Sequence, residues 1–293
     1  SFHRPKVEDS EVADIGIPVE AECFVGPGDL TLVPPREADA HKGMGGKLVV
    51  IGGGPYQGAP ILSGLAAMRA GADIVRIISP IEQPFLDLIH VPLKGDRLTE
   101  EHIEEVRTWV EWADAVVIGP GLGNKSHDVV QEIAPCCKRT VYDADALQLP
   151  LPSSPISVYT PHGGEFERIT GVKPPEDLLH RGRAARDSGL PGVVLLKGPV
   201  DIISDGSRVR FNRTGTSAMA VAGTGDILAG VTGALLFHLP PFEAACIAAY
   251  VNGRAGEAAS MHMGSGMLAS DMLECIPPQL FGREVADGLV HPH

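Results

Sequence analysis

The chain has no run of basic residues to interrupt its formal net charge of −13. Non-specific nucleic-acid binding needs a positive face, so that class of partner is not expected. Cysteine is scarce: Cys23, Cys136, Cys137, Cys246 and Cys275 make an odd count with no pair at metal-ligand spacing. A reduced, cytoplasmic setting is therefore expected, with Cys136 and Cys137 as a helix-surface and a core thiol. No apolar run reaches bilayer length, the longest, residues 227–239, being broken by Gly230, Thr232 and Gly233. The polar start Ser1-Phe2-His3-Arg4-Pro5-Lys6 lacks a signal-peptide pattern. Internal repeats and long linkers are also missing. What the chain does have is glycine, 35 residues gathered in short loops, as suits a backbone that approaches a ligand at several places. An acidic protein can hold phosphates through backbone N–H groups, helix N-termini and a few placed cations.

Short apolar runs alternate with glycine-rich loops and helices. Lys47-Leu48-Val49-Val50-Ile51 reads as a buried strand feeding Gly52-Gly53-Gly54. Residues 60–72 read as the next helix, with Ile61, Leu65 and Met68 at helical spacing. Residues 73–78 form a second strand, and 100–112 a surface helix carrying Ile103, Val106 and Val110 on one face. Residues 115–118, 140–142, 156–159 and 193–196 are further strands, each running into a polar or glycine-rich loop. This is an α/β pattern: a mostly parallel central sheet flanked by helices on both faces, with ligands bound outside the carboxyl ends of its strands. Residues 201–204 and 208–212, joined by Asp205-Gly206, read as a small β-hairpin. Two long apolar helices follow, over 225–238 and 242 to about 262. The first forty residues show little periodicity and read as an extended arm.

The sharpest local signal is Ala222-Gly223-Thr224-Gly225-Asp226, small residues and an acid opening an apolar helix. Glycines there turn N–H groups toward a bound anion, and the helix dipole adds to the attraction. Asp226 is expected to act as a general base on a substrate hydroxyl that attacks a phosphoryl group, in preference to acting only as a helix cap. Lys47 follows glycines, but Leu48 stands where a Walker A loop requires Ser or Thr. Gly52 to Gly58 misses the dinucleotide-binding spacing by one residue, and Gly119-Pro120-Gly121-Leu122-Gly123 is weak alone. His162, at a strand end before a helix, is expected to touch ligand, with Glu165 favouring the helix N-terminus. Lys197 offers a cation to a phosphate or an adenine ring. Asp143 and Asp145 fit either a hydrated Mg²⁺ or turn N–H groups equally well.

Taken in order, these loops resemble the ADP- or ATP-dependent NAD(P)H-hydrate dehydratases, a ribokinase-like family that repairs damaged nicotinamide cofactors. The resemblance runs from about Gly26 to Phe281. It rests on His41-Lys42-Gly43, Gly58-Ala59, Gly119 to Gly123, Asp143-Ala144, Thr160-Pro161-His162 with Gly164-Glu165, Lys197-Gly198 and Gly223-Thr224-Gly225-Asp226. It implies Asp226 as catalytic base and Ala59, Gly121, His162 and Asp226 along the hydrate site. Lys197, Gly198, Pro199, Val200, Asp201 and Gly225 would hold the adenine nucleotide, ADP or ATP. It also implies Mg²⁺, without a visible ligand set, and a homo-oligomer, a homotetramer in relatives. Three departures stand out: Gly163 replaces the usual Pro of the His-Pro-Gly-Glu loop, residues 215–222 lack the usual Gly-Asn-Pro-Gly-Met-Ala run, and Asp201 replaces a common Thr. Residues 1–22 resemble the tail of an NAD(P)H-hydrate epimerase domain, so the expected division is a 1–22 arm and a 23–293 dehydratase domain, the C-terminal half of a bifunctional protein. The competing expectations are a small-molecule kinase for a thiazole, pyrimidine or sugar alcohol, and a non-catalytic dinucleotide sensor.

Overall fold

The computed structural model of the protein describes residues 23–36, 41, 45–80 and 85–288, with side chains as far as 282. The expected 1–22 arm and the Lys42-Gly43 pair lie outside these residues. Among the described residues nine strands form one sheet in the order β3-β2-β1-β4-β5-β6-β7-β8-β9. They are β1 (Lys47–Ile51), β2 (Ile74–Ser79), β3 (Ile89–Pro92), β4 (Ala115–Ile118), β5 (Arg139–Tyr142), β6 (Ile156–Tyr159), β7 (Val193–Leu196), β8 (Asp201–Ser204) and β9 (Val209–Asn212). β3 through β7 pair in parallel, while β8 and β9 add an antiparallel hairpin at Asp205-Gly206.

Both faces of the sheet are covered, and side-chain alternation divides each strand between two cores. Leu48 and Val50 of β1 and Ala115 and Val117 of β4 pack into one core. Val49, Ile51, Val116 and Ile118 pack into the other. Strands buried on both sides are near-continuous apolar runs, which is why they are plain in the sequence. The first core is closed by α1 (Gly58–Arg69), α6 (Thr224–Leu235), α7 (Pro241–Met263) and α8 (Ile276–Gly288); the second by α2 (Ile103–Trp112) and α3 (His127–Ile133). A third, smaller core lies under the hairpin, where Phe166 of α4 (Gly163–Thr170) and Ala185 of α5 (Leu178–Arg186) meet Ile202 and Phe211.

Several elements escape the periodicity, α8 among them. Edge strand β3 buries little beyond Val91, α3 is two turns long, and α5 is mostly polar. The described part of the expected extended arm is also corrected: Pro27–Leu32 is a 3-10 helix. Asp29 explains it, since its carboxylate accepts a hydrogen bond from Gly26 N at 2.8 Å and pairs with Arg210 of β9.

Helices α1 and α6 lie side by side, and both start at the carboxyl end of the sheet. Their N-termini therefore converge on the region where ligands bind in such folds.

Candidate active site

Asp226 sits in the first turn of α6, after Gly223, whose φ of 103° lies in the left-handed region that glycine enters without strain. The bland alternative, a capping aspartate, does not describe it: no side chain caps this helix. Among the described residues nothing donates a hydrogen bond to its carboxylate, while its carbonyl oxygen accepts one from Ser63 Oγ of α1 at 2.7 Å. Burial pushes the carboxyl up to about 7, helped by the negative charges of Asp143, Asp145 and Glu165 and opposed by Lys197. A carboxylate without hydrogen-bond donors and poised near neutrality has the properties of a general base.

Three other strand ends supply the charges around it. Asp143 follows β5 and is buried. Its Oδ1 accepts from Thr160 Oγ1, after β6, and from Lys197 Nζ, after β7, each at 2.7 Å. Glu165 of α4 lies 4.0 Å from the same ammonium. A Cβ on Gly225 would come within 3.3 Å of Lys197 Nζ, so the ammonium lies against the first turn of α6. Burial works against this charge, but Asp143 and Glu165 outweigh it and hold the ammonium pKa above its usual value. Burial also raises the Glu165 carboxyl, more than Lys197 lowers it.

The structure thus brings Asp226, Gly225 and Lys197 together, and it gives several residues more local duties. His162 caps α4, its Nδ1 accepting from Gly164 N at 3.0 Å and Glu165 N at 3.3 Å, while Glu165 Oε2 accepts from His162 N. Its ring is largely exposed at the strand end. Asp201 accepts from Gly198 N and Asn212 Nδ2, each at 3.0 Å, and burial pushes its carboxyl up to about 6. Its carboxylate is thereby occupied within the 198–212 segment, while Gly198 and Pro199 are exposed and Val200 packs against the third core. Gly121 is buried, with the Tyr56 carbonyl where a Cβ would stand, and Ala59 lies at the start of α1. Asp145 accepts from Gly123 N at 2.8 Å, the turn role that was one of its two readings. Among the described residues no group of three His, Cys, Asp or Glu side chains is placed to hold a metal ion.

Sequence reasoning did not find two features of the site. Thr160 and Asp143 belong to one hydrogen-bonded unit with Lys197, 54 positions beyond Asp143, a separation no local pattern can signal. Arg181 of α5 donates from Nη2 to the Lys197 carbonyl at 2.9 Å and lies over Gly198, where a Cβ would meet its guanidinium. It comes from a polar helix with nothing to mark it.

Replacing Lys197 with Met should be costly, because Asp143 would keep a buried charge without its cation. Breaking such a pair typically costs about 3–5 kcal/mol, and the partial exposure of Lys197 reduces the expectation to roughly 2 kcal/mol. Urea denaturation at pH 8 would measure it; a midpoint equal to wild type would refute the ion pair's importance.

Known proteins resemble this chain in sequence and in fold. Residues 48–278 match the model of a family described as NAD(P)H-hydrate dehydratase. The chain is 54% identical over 281 residues to the bifunctional NAD(P)H-hydrate repair enzyme Nnr of Methanospirillum hungatei, covering 96% of this chain and 59% of that protein. The chain thus spans less than two thirds of the length of such bifunctional relatives. It is 37% identical to the ADP-dependent (S)-NAD(P)H-hydrate dehydratase of Cenarchaeum symbiosum, covering 88% of this chain and 96% of that one. Among solved structures, the ADP/ATP-dependent NAD(P)H-hydrate dehydratase of Bacillus subtilis, co-crystallised with ATP/Mg²⁺, matches with a TM-score of 0.72 at 28% identity, covering 92% of this chain and 99% of that one. The architecture is the expected ribokinase-like one.

Proposed function

The chain belongs to the NAD(P)H-hydrate dehydratase family, and from that premise we propose that it dehydrates hydrated NADH or NADPH at the expense of ADP or ATP. The observation that carries the reading is Asp226, a carboxylate raised to about 7 at a glycine-lined helix N-terminus in the place where ligands of this fold bind.

In this reading Asp226 accepts the proton of the ring hydroxyl as its oxygen bonds to the terminal phosphorus of the nucleotide. The bond from that phosphorus to the bridging oxygen breaks, and AMP leaves from ADP, or ADP from ATP. The ring carbon–oxygen bond then breaks with its electron pair departing on phosphate. A proton is lost from the adjacent ring carbon, and the ring double bond returns. The N–H groups of the Gly223-Thr224-Gly225 turn would face the transferred phosphoryl oxygens, with the α6 dipole reinforcing them. Ala59, Gly121 and the exposed His162 ring would line the hydrate, and residues 197–201 with Gly225 the nucleotide. With no cage of three protein ligands among the described residues, the side chains present do not form a resident metal site. Mg²⁺, which commonly rides on substrate phosphates with its waters, would arrive with the nucleotide.

A homo-oligomer, a homotetramer as the family resemblance implies, is part of the proposal, as is a fused or associated epimerase domain outside residues 23–293. Five cysteines with no disulfide among the described residues suit a cytoplasmic setting, and among those residues no helix is long and apolar enough to cross a membrane. The experiment is an absorbance assay with NADH hydrate, Mg²⁺ and either ADP or ATP. Nucleotide-dependent recovery of dihydronicotinamide absorbance, with stoichiometric phosphate release, supports the proposal and names the donor. A stable phosphorylated product would point instead to a kinase, and no turnover of hydrate would reject the reading.

The same assay gives the expected pH dependence. The base must be ionised to accept a proton, so kcat/KM should rise with pH and level off above an acid limb near 7. An acid limb near 4 would mean that the environment of Asp226 does not tune it.

A further inference from the structure

Lys197 has a flexible four-carbon stem and could point into solvent, yet its ammonium is held on one side of the first turn of α6. The holding group is Asp143, and Asp143 is itself fixed. Its N–H donates to the Ile118 carbonyl at 3.0 Å, and its carbonyl accepts from Ala146 N at 3.1 Å. That carbonyl stands 1.8 Å from where a Cβ on Gly119 would be, so the β5 end is seated against the 119–123 loop. With the backbone locked, Oδ1 receives Thr160 Oγ1 and Lys197 Nζ together at 2.7 Å. The groups facing Asp226 from the surrounding elements are Asp143 after β5, Asp145 in the following turn, Glu165 of α4 and Lys197 after β7. One cation thus stands among four carboxylates, and Asp143 has its closest contact.

We propose that Asp143 is a positioning residue, which ties the Lys197 ammonium against Gly225 so that Asp226 meets this positive charge at a fixed distance without forming a direct ion pair with it. The inference rests on Asp226 being the base of the proposed reaction. The arrangement has a chemical rationale. A base in contact with an ammonium would be a poor proton acceptor, and one surrounded only by carboxylates would stay protonated. Asp143 engages the cation closely enough to keep Asp226 between these extremes. Thr160 contributes by fixing the rotamer of Asp143.

Asp143→Asn tests the proposal through the pH profile, which a purely structural role would not move. Removing this charge takes one carboxylate away from Asp226 and releases Lys197 toward it, and both changes favour ionised Asp226. The acid limb of kcat/KM should move down by about one pH unit, with kcat on the alkaline plateau falling about threefold as the base weakens. Lys197→Gln, which can keep a hydrogen bond to Asp143 but removes the cation, should move the limb in the opposite direction, to higher pH. An unmoved limb in folded Asp143→Asn overturns the proposal. If that variant does not fold, an unmoved limb in Lys197→Gln does so.

A second readout needs no turnover and separates this inference from the proposed reaction. The change in Tm caused by Asp226→Asn is measured from pH 4 to 9, once in the wild-type protein and once in the Asp143→Asn background. The pH at which that change levels off should lie about one unit lower in the Asp143→Asn background. Coincident curves overturn the positioning role even if the hydrate is processed. Displaced curves uphold the electrostatic tether even if the protein processes a different substrate.

Discussion

Asp226→Asn is expected to lower kcat/KM for the nicotinamide hydrate by roughly 10²–10⁴-fold, the usual contribution of a general base, and at the same time to raise the stability of the protein at pH 8. The two effects share one cause. The carboxyl titrates at about 7 in the folded protein against a usual 3.8, chiefly because burial and then Asp143 disfavour its charge. Its folded pKa is raised, so its stabilising contribution is complete below the unfolded pKa and is lost as pH climbs from about 4 through about 7. Above 7 the folded chain carries a poorly solvated, repelled charge that an amide would not. Asparagine should therefore stabilise by on the order of 1–3 kcal/mol at pH 8, with the gain fading toward pH 4. Thermal melts across this range, paired with hydrate turnover, make the check. A variant that loses activity and also loses stability at pH 8 would show Asp226 to be a structural anchor. One that keeps near wild-type activity would remove it from the chemistry.

Much of this site was legible because its parts obey local rules. The strands ending at Ile51, Ile118, Tyr142, Tyr159 and Leu196 are largely apolar, since helices cover both faces of the sheet. Knowing where such strands end locates the ligand region, and Gly223-Thr224-Gly225-Asp226 announces a helix N-terminus unlike an ordinary cap. Partnership between loops was not legible. Lys197 reads from the sequence as a cation for phosphate or adenine, and its bond to Asp143 is added by the structure; only the folded sheet sets the end of β7 near the end of β5. His162 likewise read first as a ligand contact, and its Nδ1 accepts from the helix backbone. Edge strand β3 and polar helix α5 went unread because burial, the source of periodicity, is slight in both. Arg181 on α5 was lost with its helix.

Gly230→Ala is the second large effect, and its sign separates packing from propensity. Alanine in a helix interior is normally worth about 1 kcal/mol more than glycine. At Gly230, midway along α6, a Cβ would stand 2.1 Å from the Ser63 carbonyl oxygen and 2.8 Å from its carbon. These are backbone atoms of α1 and cannot rotate away, so one helix must move off the other. The expected loss is about 3 kcal/mol, at the upper end for overpacking. Gly282→Ala, in α8 with nothing within 4 Å of the added carbon, should be neutral or gain up to about 1 kcal/mol. Urea denaturation of the two variants decides the matter, and a Gly230→Ala protein as stable as wild type would mean that the helices are not in such close contact. The consequence also reaches the chemistry. Ser63 is the residue whose Oγ bonds the Asp226 carbonyl, and Ala59, at the start of its helix, is proposed to line the hydrate. Separating α1 from α6 would displace the base from its substrate, so the folded fraction of Gly230→Ala should also turn over more slowly, although residue 230 lies a full turn beyond Asp226 and touches no ligand in the proposed reaction.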